Sequence, residues 1–198
     1  MTQADFFRQE HPLENEFARL EPLTESHFNV LLPIALHQEL WQFTGAKVYV
    51  EADFRRYFDA ALNEKQQQLA YPYAIYDKRT QQYVGCTRFG NISFPNKRME
   101  IGWTWYAPST QGSGLNKQVK WLMLTFGFER LGLNRIELKT SIYNEKSQRA
   151  MKRIGAVQEG ILRRHMINED GEVRDTVYFS FIREEWETTK ANFFQDCQ

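Results

Sequence analysis

The chain has 198 residues, of which 42% are hydrophobic and 15% aromatic, so it can bury a core and is not intrinsically disordered. Lysine plus arginine and aspartate plus glutamate number 25 each, which argues against a general nucleic-acid binder or a binder of anionic membranes. The N-terminal segment has no apolar leader pattern, and no apolar run is long enough to span a membrane. We therefore expect a cytoplasmic protein.

The first half of the chain predicts one strand, two helices and three further strands. Residues 16–23 read as the strand. Residues 24–43 form a helical pattern that Thr24 or Ser26 would cap and Pro33 would kink or break. The second helix is predicted at 50–68, where aromatic and apolar residues recur every three or four positions. The three strands are predicted at 71–77, 82–92 and 98–107.

The second half predicts a helix, a strand, a short helix and a hairpin. The first helix, from about 114 to 131, has one apolar stripe and is followed by Gly132 as a C-terminal stop. The other elements are predicted at 134–142, 144–155, 156–167 and 172–182, with a terminal helix at about 184–195. The order predicts a mixed α/β fold, with a mostly antiparallel sheet of about seven strands and helices on both faces. We expect a single domain over 1–198, with a core at about 15–186 and an N-terminal arm at 1–14.

The segment STQGSGLNK, residues 109–117, places two glycines between a strand and a helix. The N-terminus of a helix offers unpaired backbone N–H groups, and glycines let an anion approach them closely. The segment is not a P-loop, and Lys117 stands where the third glycine of a dinucleotide-binding turn belongs. Taken alone, it fits a flexible connection as well as an anion-binding turn.

Three segments together resemble the GNAT superfamily of acetyl-CoA-dependent N-acetyltransferases. The first is Gln111-Gly112-Ser113-Gly114-Leu115-Asn116, which is similar to the family's turn for the coenzyme A pyrophosphate, although Asn116 replaces its last Gly or Ala. The second is NEKSQRAMKRIGA at 144–156, and the third is MEIGWTW at 99–105. The third is similar to the Glu-Ile-Gly-aromatic strand of the Rim-type branch, whose members acetylate the N-termini of ribosomal proteins.

This resemblance implies a binding site for acetyl-CoA and no metal. The pyrophosphate would lie on the turn, and the pantetheine arm would bond to the strand backbone where the fourth and fifth strands splay. We expect most of the aromatic rings of the WTWY segment at 103–106 to pack in the core, so that the backbone and not the rings contacts the coenzyme. The helix that begins near Asn144 would lie beside the arm. The implied coenzyme-binding residues are Trp103, Trp105, Gln111, Gly112, Ser113, Gly114, Leu115, Asn116, Lys117, Asn144 and Ser147.

For the chemistry, the resemblance implies direct acetyl transfer to an amine, which must first lose its proton. Glu100 is the first candidate base, and a surface carboxylate is the alternative reading. His165 and Tyr178 are weaker candidates. Many family members carry a tyrosine acid seven residues after the Asn, but that position is Met151 here, so Ser147 is the candidate that assists the departing sulfur.

Two lysines and two cysteines remain open in their roles. Lys117 and Lys120 would either meet phosphates or solvate the face of their helix, and the second is the default. Cys86 and Cys197 form no disulfide framework, and Cys86 lacks the neighbours of a thiol nucleophile or a metal site.

The acceptor amine is either a protein N-terminal α-amine or a small molecule such as an antibiotic, a polyamine or an amino acid. A chain that binds acyl-CoA without catalysis is the alternative from another class, supported by Met151 and Asn116. The family analogy also suggests a homodimer.

Overall fold

The computed structural model describes residues 2–197, along which eight strands and six α-helices follow one another. The strands are β1 (Leu13–Glu14), β2 (Ala18–Pro22), β3 (Tyr71–Asp77), β4 (Gln82–Ser93), β5 (Arg98–Tyr106), β6 (Arg135–Ser141), β7 (Val157–Ile167) and β8 (Val173–Ile182). The helices are α1 (Gln3–Arg8), α2 (Phe28–Ala35), α3 (Glu51–Gln66), α4 (Leu115–Thr125), α5 (Glu145–Arg153) and α6 (Trp186–Phe193).

All eight strands join one mixed sheet in the order β1-β2-β3-β4-β5-β6-β8-β7. Neighbours are antiparallel except β5 and β6, which run parallel. The predicted mixed, mostly antiparallel sheet is therefore confirmed. The eighth strand is β1, a two-residue strand within the segment that the sequence indicated only as an arm.

Two hydrophobic clusters cover the two faces of the sheet, as predicted. One joins α2 and α3 to the sheet through residues such as Phe28, Phe54 and Trp105. The other joins α4 to the sheet through residues such as Leu115 and Met123. Strands β4 and β5 contribute residues to both clusters.

The long helix predicted at 24–43 is wrong in its extent. The chain forms a 3₁₀ turn at Glu25–His27, then α2, then a second 3₁₀ turn at Gln38–Trp41. Pro33 lies inside α2, where its ring removes a backbone donor, and α2 ends two residues later. Extended backbone at His37 then separates α2 from the second 3₁₀ turn.

The helix predicted at 114–131 is confirmed in its extent, and only its last turn differs in type. After α4 the chain widens into a π-helical turn at Phe126–Arg130.

The N-terminal segment contains α1, where the side chains of Thr2 and Asp5 form a capping box and Phe6 is fully buried.

The strands β5 and β6 pair over three register positions of the described chain and then diverge. The pairs are Arg98–Arg135, Met99–Ile136 and Glu100–Glu137. Just beyond them, β5 bulges against β4: Trp103 and Thr104 both lie between the paired positions of Gly102 and Trp105, opposite the single residue Thr87. The bulge and the divergence open a gap in the middle of the sheet.

Candidate active site

A turn rich in exposed backbone N–H groups connects the end of β5 to α4. Gly112 and Gly114 have φ angles of +82° and +86°, the left-handed region that favours glycine. Within residues 2–197, the backbone N–H groups of Gly112, Gly114 and Asn116 have no hydrogen-bond acceptor. Three free N–H groups and the positive end of the α4 dipole make this turn suitable for an anion.

A guanidinium from the β3–β4 turn holds the centre of the glycine turn. Arg79 donates to the backbone oxygen of Ser113 over 3.0 Å and to its hydroxyl over 3.2 Å. Arg79 also makes a bidentate contact with the buried carboxylate of Asp77, at 3.1 and 3.0 Å. That contact fixes the guanidinium and neutralises its charge.

The other polar residues of the turn are engaged by neighbouring elements. Asn116 accepts a hydrogen bond from the hydroxyl of Tyr106 over 3.1 Å. The ammonium of Lys117 is ion-paired with Asp196 near the end of the chain. The side chain of Gln111 accepts a hydrogen bond from Lys146 on α5, which brings the first turns of α4 and α5 together.

Glu100 is buried, with 2% of its surface exposed, although a surface carboxylate was the alternative expectation for it. Its carboxylate accepts a hydrogen bond from Asn91 and pairs with the ammonium of Lys139 at 3.0 Å. Glu100 is the last residue of β5 that pairs with β6, so it stands at the point where the gap opens. Neither Asn91 nor Lys139 was singled out from the sequence. The positive φ of Asn91, +47°, is a backbone feature that the sequence does not display.

Trp103 and Trp105 behave differently, although both lie on β5. Trp105 is buried, and its ring packs among those of Trp41 and Phe54. Trp103 is 38% exposed and has a φ of +51°, a strained conformation for an aromatic residue. The guanidinium of Arg88 lies 5.1 Å from the centre of the Trp103 ring. The ammonium of Lys139, the partner of Glu100, lies 6.0 Å from the centre of the same ring, so Trp103 offers an exposed aromatic surface close to this ion pair.

The two weaker candidates from the hairpin lie near this group. Tyr178 is the register partner of Lys139, which pairs with Glu100. The ring of His165 packs edge-on against that of Tyr178, at 5.6 Å between ring centres. Burial raises the pKa of Tyr178, so its hydroxyl stays protonated near neutral pH.

Helix α5 begins with Asn144 as its N-cap. The side-chain oxygen of Asn144 accepts a hydrogen bond from the backbone N–H of Ser147 over 3.0 Å. The hydroxyl of Ser147 is half-buried and makes no hydrogen bond within the described part of the chain. Met151 packs against the larger hydrophobic cluster and supplies no proton donor.

Lys120 is buried on α4, whereas an exposed helix face was the default expectation from the sequence. It is 6% exposed, and its ammonium donates to the hydroxyl of Thr104 over 3.0 Å. Burial lowers the pKa of Lys120 to about 7, against the attraction of Glu100, which raises it. Its sequence neighbours are a mixture of apolar and polar residues, so the periodicity alone did not reveal it.

Other chemistries have little support in residues 2–197. Burial raises the pKa of the Cys86 thiol to about 12, so it is not a nucleophile. No cluster of three or more histidine, cysteine, aspartate or glutamate side chains among these residues is arranged to hold a metal ion. None of the helices between residues 2 and 197 is both long and apolar enough to cross a membrane.

Comparison with known sequences identifies the family. The sequence profile of the acetyltransferase (GNAT) domain matches residues 18–157, which is more than half of the chain. The chain belongs to the GNAT acetyltransferase family. The resemblance inferred from the glycine turn, the β5 segment and the α5 segment is thus confirmed.

Relatives of this GNAT protein include "Putative ribosomal N-acetyltransferase YdaF" of Bacillus subtilis, which is 34% identical over 54% of this chain and 57% of its own length. The chain covers less than two thirds of the length of this and the other curated relatives it matches. A GCN5-related N-acetyltransferase structure from Brucella melitensis has a TM-score of 0.85 and 26% identity, over 93% of this chain and 84% of its own.

A second similar structure is RimL, described as a ribosomal L7/L12 α-N-protein acetyltransferase. It has a TM-score of 0.76 and 22% identity, over 88% of this chain and 95% of its own. At that identity the likeness to RimL shows the fold alone. GNAT proteins generally use acetyl-CoA, and the free N–H groups of the glycine turn fit a pyrophosphate.

Proposed function

We propose that this GNAT protein transfers acetyl directly from acetyl-CoA to a primary amine. The observation that carries the proposal is the position of the glycine turn. Its three free N–H groups follow the end of β5, the strand whose bulge and divergence from β6 open a gap beside Glu100. An anion-binding turn and a gap in the sheet together suit a long molecule with a phosphate at one end and a reactive group at the other.

The turn would hold the pyrophosphate, and the β5 backbone would hold the pantetheine arm. Gln111, Gly112, Ser113, Gly114, Leu115, Asn116 and Lys117 form the turn and the first turn of α4. In the gap, the backbone at Trp103 and Trp105 has lost β6 as a partner and would bond to the amides of the arm, as an added strand does. Asn144 and Ser147 at the start of α5 would contact the side of the arm that faces away from β5, because Lys146 already connects α5 to the turn.

The reaction forms a carbon–nitrogen bond and breaks a carbon–sulfur bond. The amine nitrogen attacks the carbonyl carbon of the thioester, the thiolate leaves with the electron pair of the broken bond, and the nitrogen loses one proton. Holding both reactants in one gap supplies much of the acceleration. Acetyl-CoA contributes the activated acetyl group, and the residues of this chain position it and move the proton.

Glu100 would take the proton of the amine, directly or through one water molecule. It is buried, it lies at the opening of the gap, and Lys139 and Asn91 fix its orientation. Ser147 would donate a hydrogen bond to the departing sulfur, since its hydroxyl has no partner within residues 2–197. Thiolate stabilisation need only be modest, because a thiol has a pKa of about 8.5.

We propose a protein N-terminal α-amine as the acceptor. An α-amine has a pKa of about 7.7–8.0, against about 10.4 for a lysine side chain, so it loses its proton more easily. The name of the B. subtilis relative supports this class of acceptor. The exposed ring of Trp103 would provide a surface for the first residues of a peptide.

A small-molecule amine is the second candidate, and one observation favours it. The loop before α3 contacts the β7–β8 hairpin: the backbone N–H of Lys47 donates to Glu169 in the turn over 2.9 Å, and Arg174 on β8 donates to the backbone oxygen of Phe43 over 2.6 Å. The resemblance to GNAT enzymes implies that the first two helices and the C-terminal hairpin would surround the acceptor. These contacts connect those segments, and a closed site would exclude a folded protein.

One titration and one comparison of turnover test the proposal. Acetyl-CoA is titrated calorimetrically into the wild type, and micromolar binding is expected. Turnover is then compared for a peptide with a free N-terminus, the same peptide with a blocked N-terminus and one internal lysine, a polyamine and a free amino acid. Activity with the first peptide alone supports the α-amine acceptor, and activity with a small amine alone supports the second candidate. Binding without turnover of any amine indicates a non-catalytic acyl-CoA-binding protein, and no binding by the folded chain contradicts the proposal.

A homodimer also stays a prediction, which light scattering checks.

A further inference from the structure

Lys120 is a buried lysine without a counter-ion. Within residues 2–197, no carboxylate lies within ion-pairing distance of its ammonium, whose hydrogen-bond acceptor is the hydroxyl of Thr104. Two other buried charges do have counter-ions: Arg88 pairs with Glu64 at 2.6 Å, and Glu100 pairs with Lys139 at 3.0 Å. Because burying an unpaired charge is costly, a lysine in this position calls for a reason beyond packing.

The position of Thr104 supplies that reason. Thr104 belongs to the bulge of β5 and directly follows Trp103, the residue with left-handed backbone. Its hydroxyl also lies 2.8 Å from that of Thr87 on β4. Lys120 therefore supports the bulge from the face that α4 covers, while Trp103 exposes its ring among the charged residues of the other face.

The charge on Lys120 is incompletely satisfied by the protein. An ammonium has three N–H donors, and Thr104 accepts from one of them. Burial lowers the pKa of Lys120 to about 7, so the charged and the neutral forms are both populated near neutral pH. Glu100 is the charged group whose attraction opposes this shift, and the neighbouring polar groups on β4 and β5 are the uncharged Thr87 and Thr104.

We propose that Lys120 is a positioning residue for acyl transfer, which acts through Thr104 and favours the reaction in its charged form. The inference rests on the proposed function, which puts the thioester beside the bulge. Negative charge develops on the carbonyl oxygen and then on the sulfur as the reaction proceeds. A cation in a site of low dielectric stabilises such charge, and the hydrogen bond to Thr104 holds the bulge in the geometry that receives it.

The experiment measures kcat from pH 6 to 9 at saturating acetyl-CoA for the wild type, Lys120→Met and Lys120→Arg. Each variant's rate is divided by the wild-type rate at the same pH, which cancels the ionisation of the acceptor. For Lys120→Met we expect a ratio of about one tenth at pH 6 that rises toward one above pH 8, where the wild type also loses the charge. For Lys120→Arg, which stays charged, the ratio should rise with pH.

Lys65→Met is the matched control, because burial also lowers the pKa of Lys65, which lies on α3 over the ring of Tyr71. Its ratio should not change with pH. A ratio near one for Lys120→Met at pH 6, or equal losses for Lys120→Met and Lys120→Arg across the range, would reduce Lys120 to a packing residue and overturn the proposal.

A second pair of variants tests the route through Thr104 and does not depend on whether Lys120 variants fold. Thr104→Ser keeps the accepting hydroxyl and should match the wild type, whereas Thr104→Val should lower kcat while calorimetric binding of acetyl-CoA is retained. Equal activity of the two variants overturns the action through Thr104. A wild type that turns over no amine contradicts the proposed function itself, and this inference with it. Turnover in which Lys120→Met keeps the wild-type rate at pH 6, or loses no more than Lys120→Arg, contradicts this inference alone.

Discussion

Arg79 bonds to both oxygens of Ser113, the residue between the two left-handed glycines of the turn. The two residues are 34 positions apart in the sequence. The β3–β4 turn thereby fixes the centre of a segment that contains two glycines, the residue with the widest range of backbone conformations. Because Asp77 neutralises Arg79, the contribution of Arg79 is geometric more than electrostatic.

Replacing Arg79 should weaken coenzyme binding without slowing the chemistry. In Arg79→Met the turn loses two hydrogen bonds, and its N–H groups must be ordered when the pyrophosphate binds. We expect the Kd of acetyl-CoA to rise about tenfold, which is about 1.4 kcal/mol, with kcat unchanged. Lys78→Met is the control on the same turn, since Lys78 pairs with the exposed Glu14. An equal loss in both variants, or an unchanged Kd in Arg79→Met, would refute the role assigned to Arg79.

Substitution of Gly114 tests the turn with a strain-matched control. Gly114 and Gly171 have φ angles of +86° and +82°, and a Cβ added at either would meet no atom within 4 Å. An alanine at either position should cost about 1 kcal/mol of unfolding free energy, because both must remain left-handed. Gly114→Ala should in addition weaken binding of acetyl-CoA in calorimetry, and Gly171→Ala should not. If both variants lose the same stability and both bind acetyl-CoA as the wild type does, the turn does not bind the coenzyme.

Glu100→Gln should lower kcat by about 100-fold or more, the range for loss of a general base, with little change in the Kd of acetyl-CoA. Glu137→Gln is the matched control: Glu137 is its register neighbour on β6, is also buried, and pairs with Arg98 and Arg135. Both substitutions remove a buried ion pair, so both should lower the unfolding temperature. Equal loss of kcat in the two variants would mean that Glu100 acts through stability.

Ser147→Ala should lower kcat by about tenfold if its hydroxyl assists the departing sulfur. The helix should remain intact, because Asn144 caps α5 through the backbone N–H of residue 147 and not through the side chain. Ser147→Thr keeps a hydroxyl and serves as the control in steady-state kinetics. Full activity of Ser147→Ala would mean that the Ser147 hydroxyl does not assist the departing thiolate.

Acid stability should depend on Glu159. Hydrogen bonding to Arg135 lowers the pKa of Glu159 from 4.5 to about 2. The folded pKa is depressed, so the contribution of Glu159 is present above pH 4.5 and is lost as the pH falls toward 2. Urea unfolding at pH 7 and at pH 3 should show a smaller loss of stability for Glu159→Gln than for the wild type. Solvent screening limits the effect to about 1 kcal/mol or less, because the pair is partly exposed. Identical pH dependence in the two proteins would show that the Arg135 contact contributes nothing.

Much of the fold could be predicted from the sequence, because alternation and helical periodicity are local signals. The predicted 71–77 strand agrees with β3 at both ends, and α3 and β4 differ from their predictions by two residues or fewer. The helix predicted at 24–43 was wrong because apolar residues continue past Ala35, whereas the α-helical backbone ends there. Helix α1 had a local signal, a threonine at position 2 with an aspartate three residues later, which a search for capping boxes would have found.

Several important residues of the candidate site depend on contacts that no local pattern contains. Glu100 was chosen from the sequence, but its burial follows from Asn91 and Lys139, which come from other strands. Lys120 resembles any lysine on a helix surface until the bulge of β5 places the hydroxyl of Thr104 above it. Such roles arise from register shifts and pairings between strands, which are properties of the assembled sheet.

The three register pairs between β5 and β6 have a mechanical consequence. They are the main-chain seam between a half-sheet of five strands, β1 to β5, and a half-sheet of three, β6, β8 and β7. A coenzyme arm hydrogen-bonded along β5 would act as a temporary strand that strengthens the connection between the two half-sheets. The substrate would then be a structural member of the catalyst, and each turnover would remove and replace part of the sheet that holds the enzyme together.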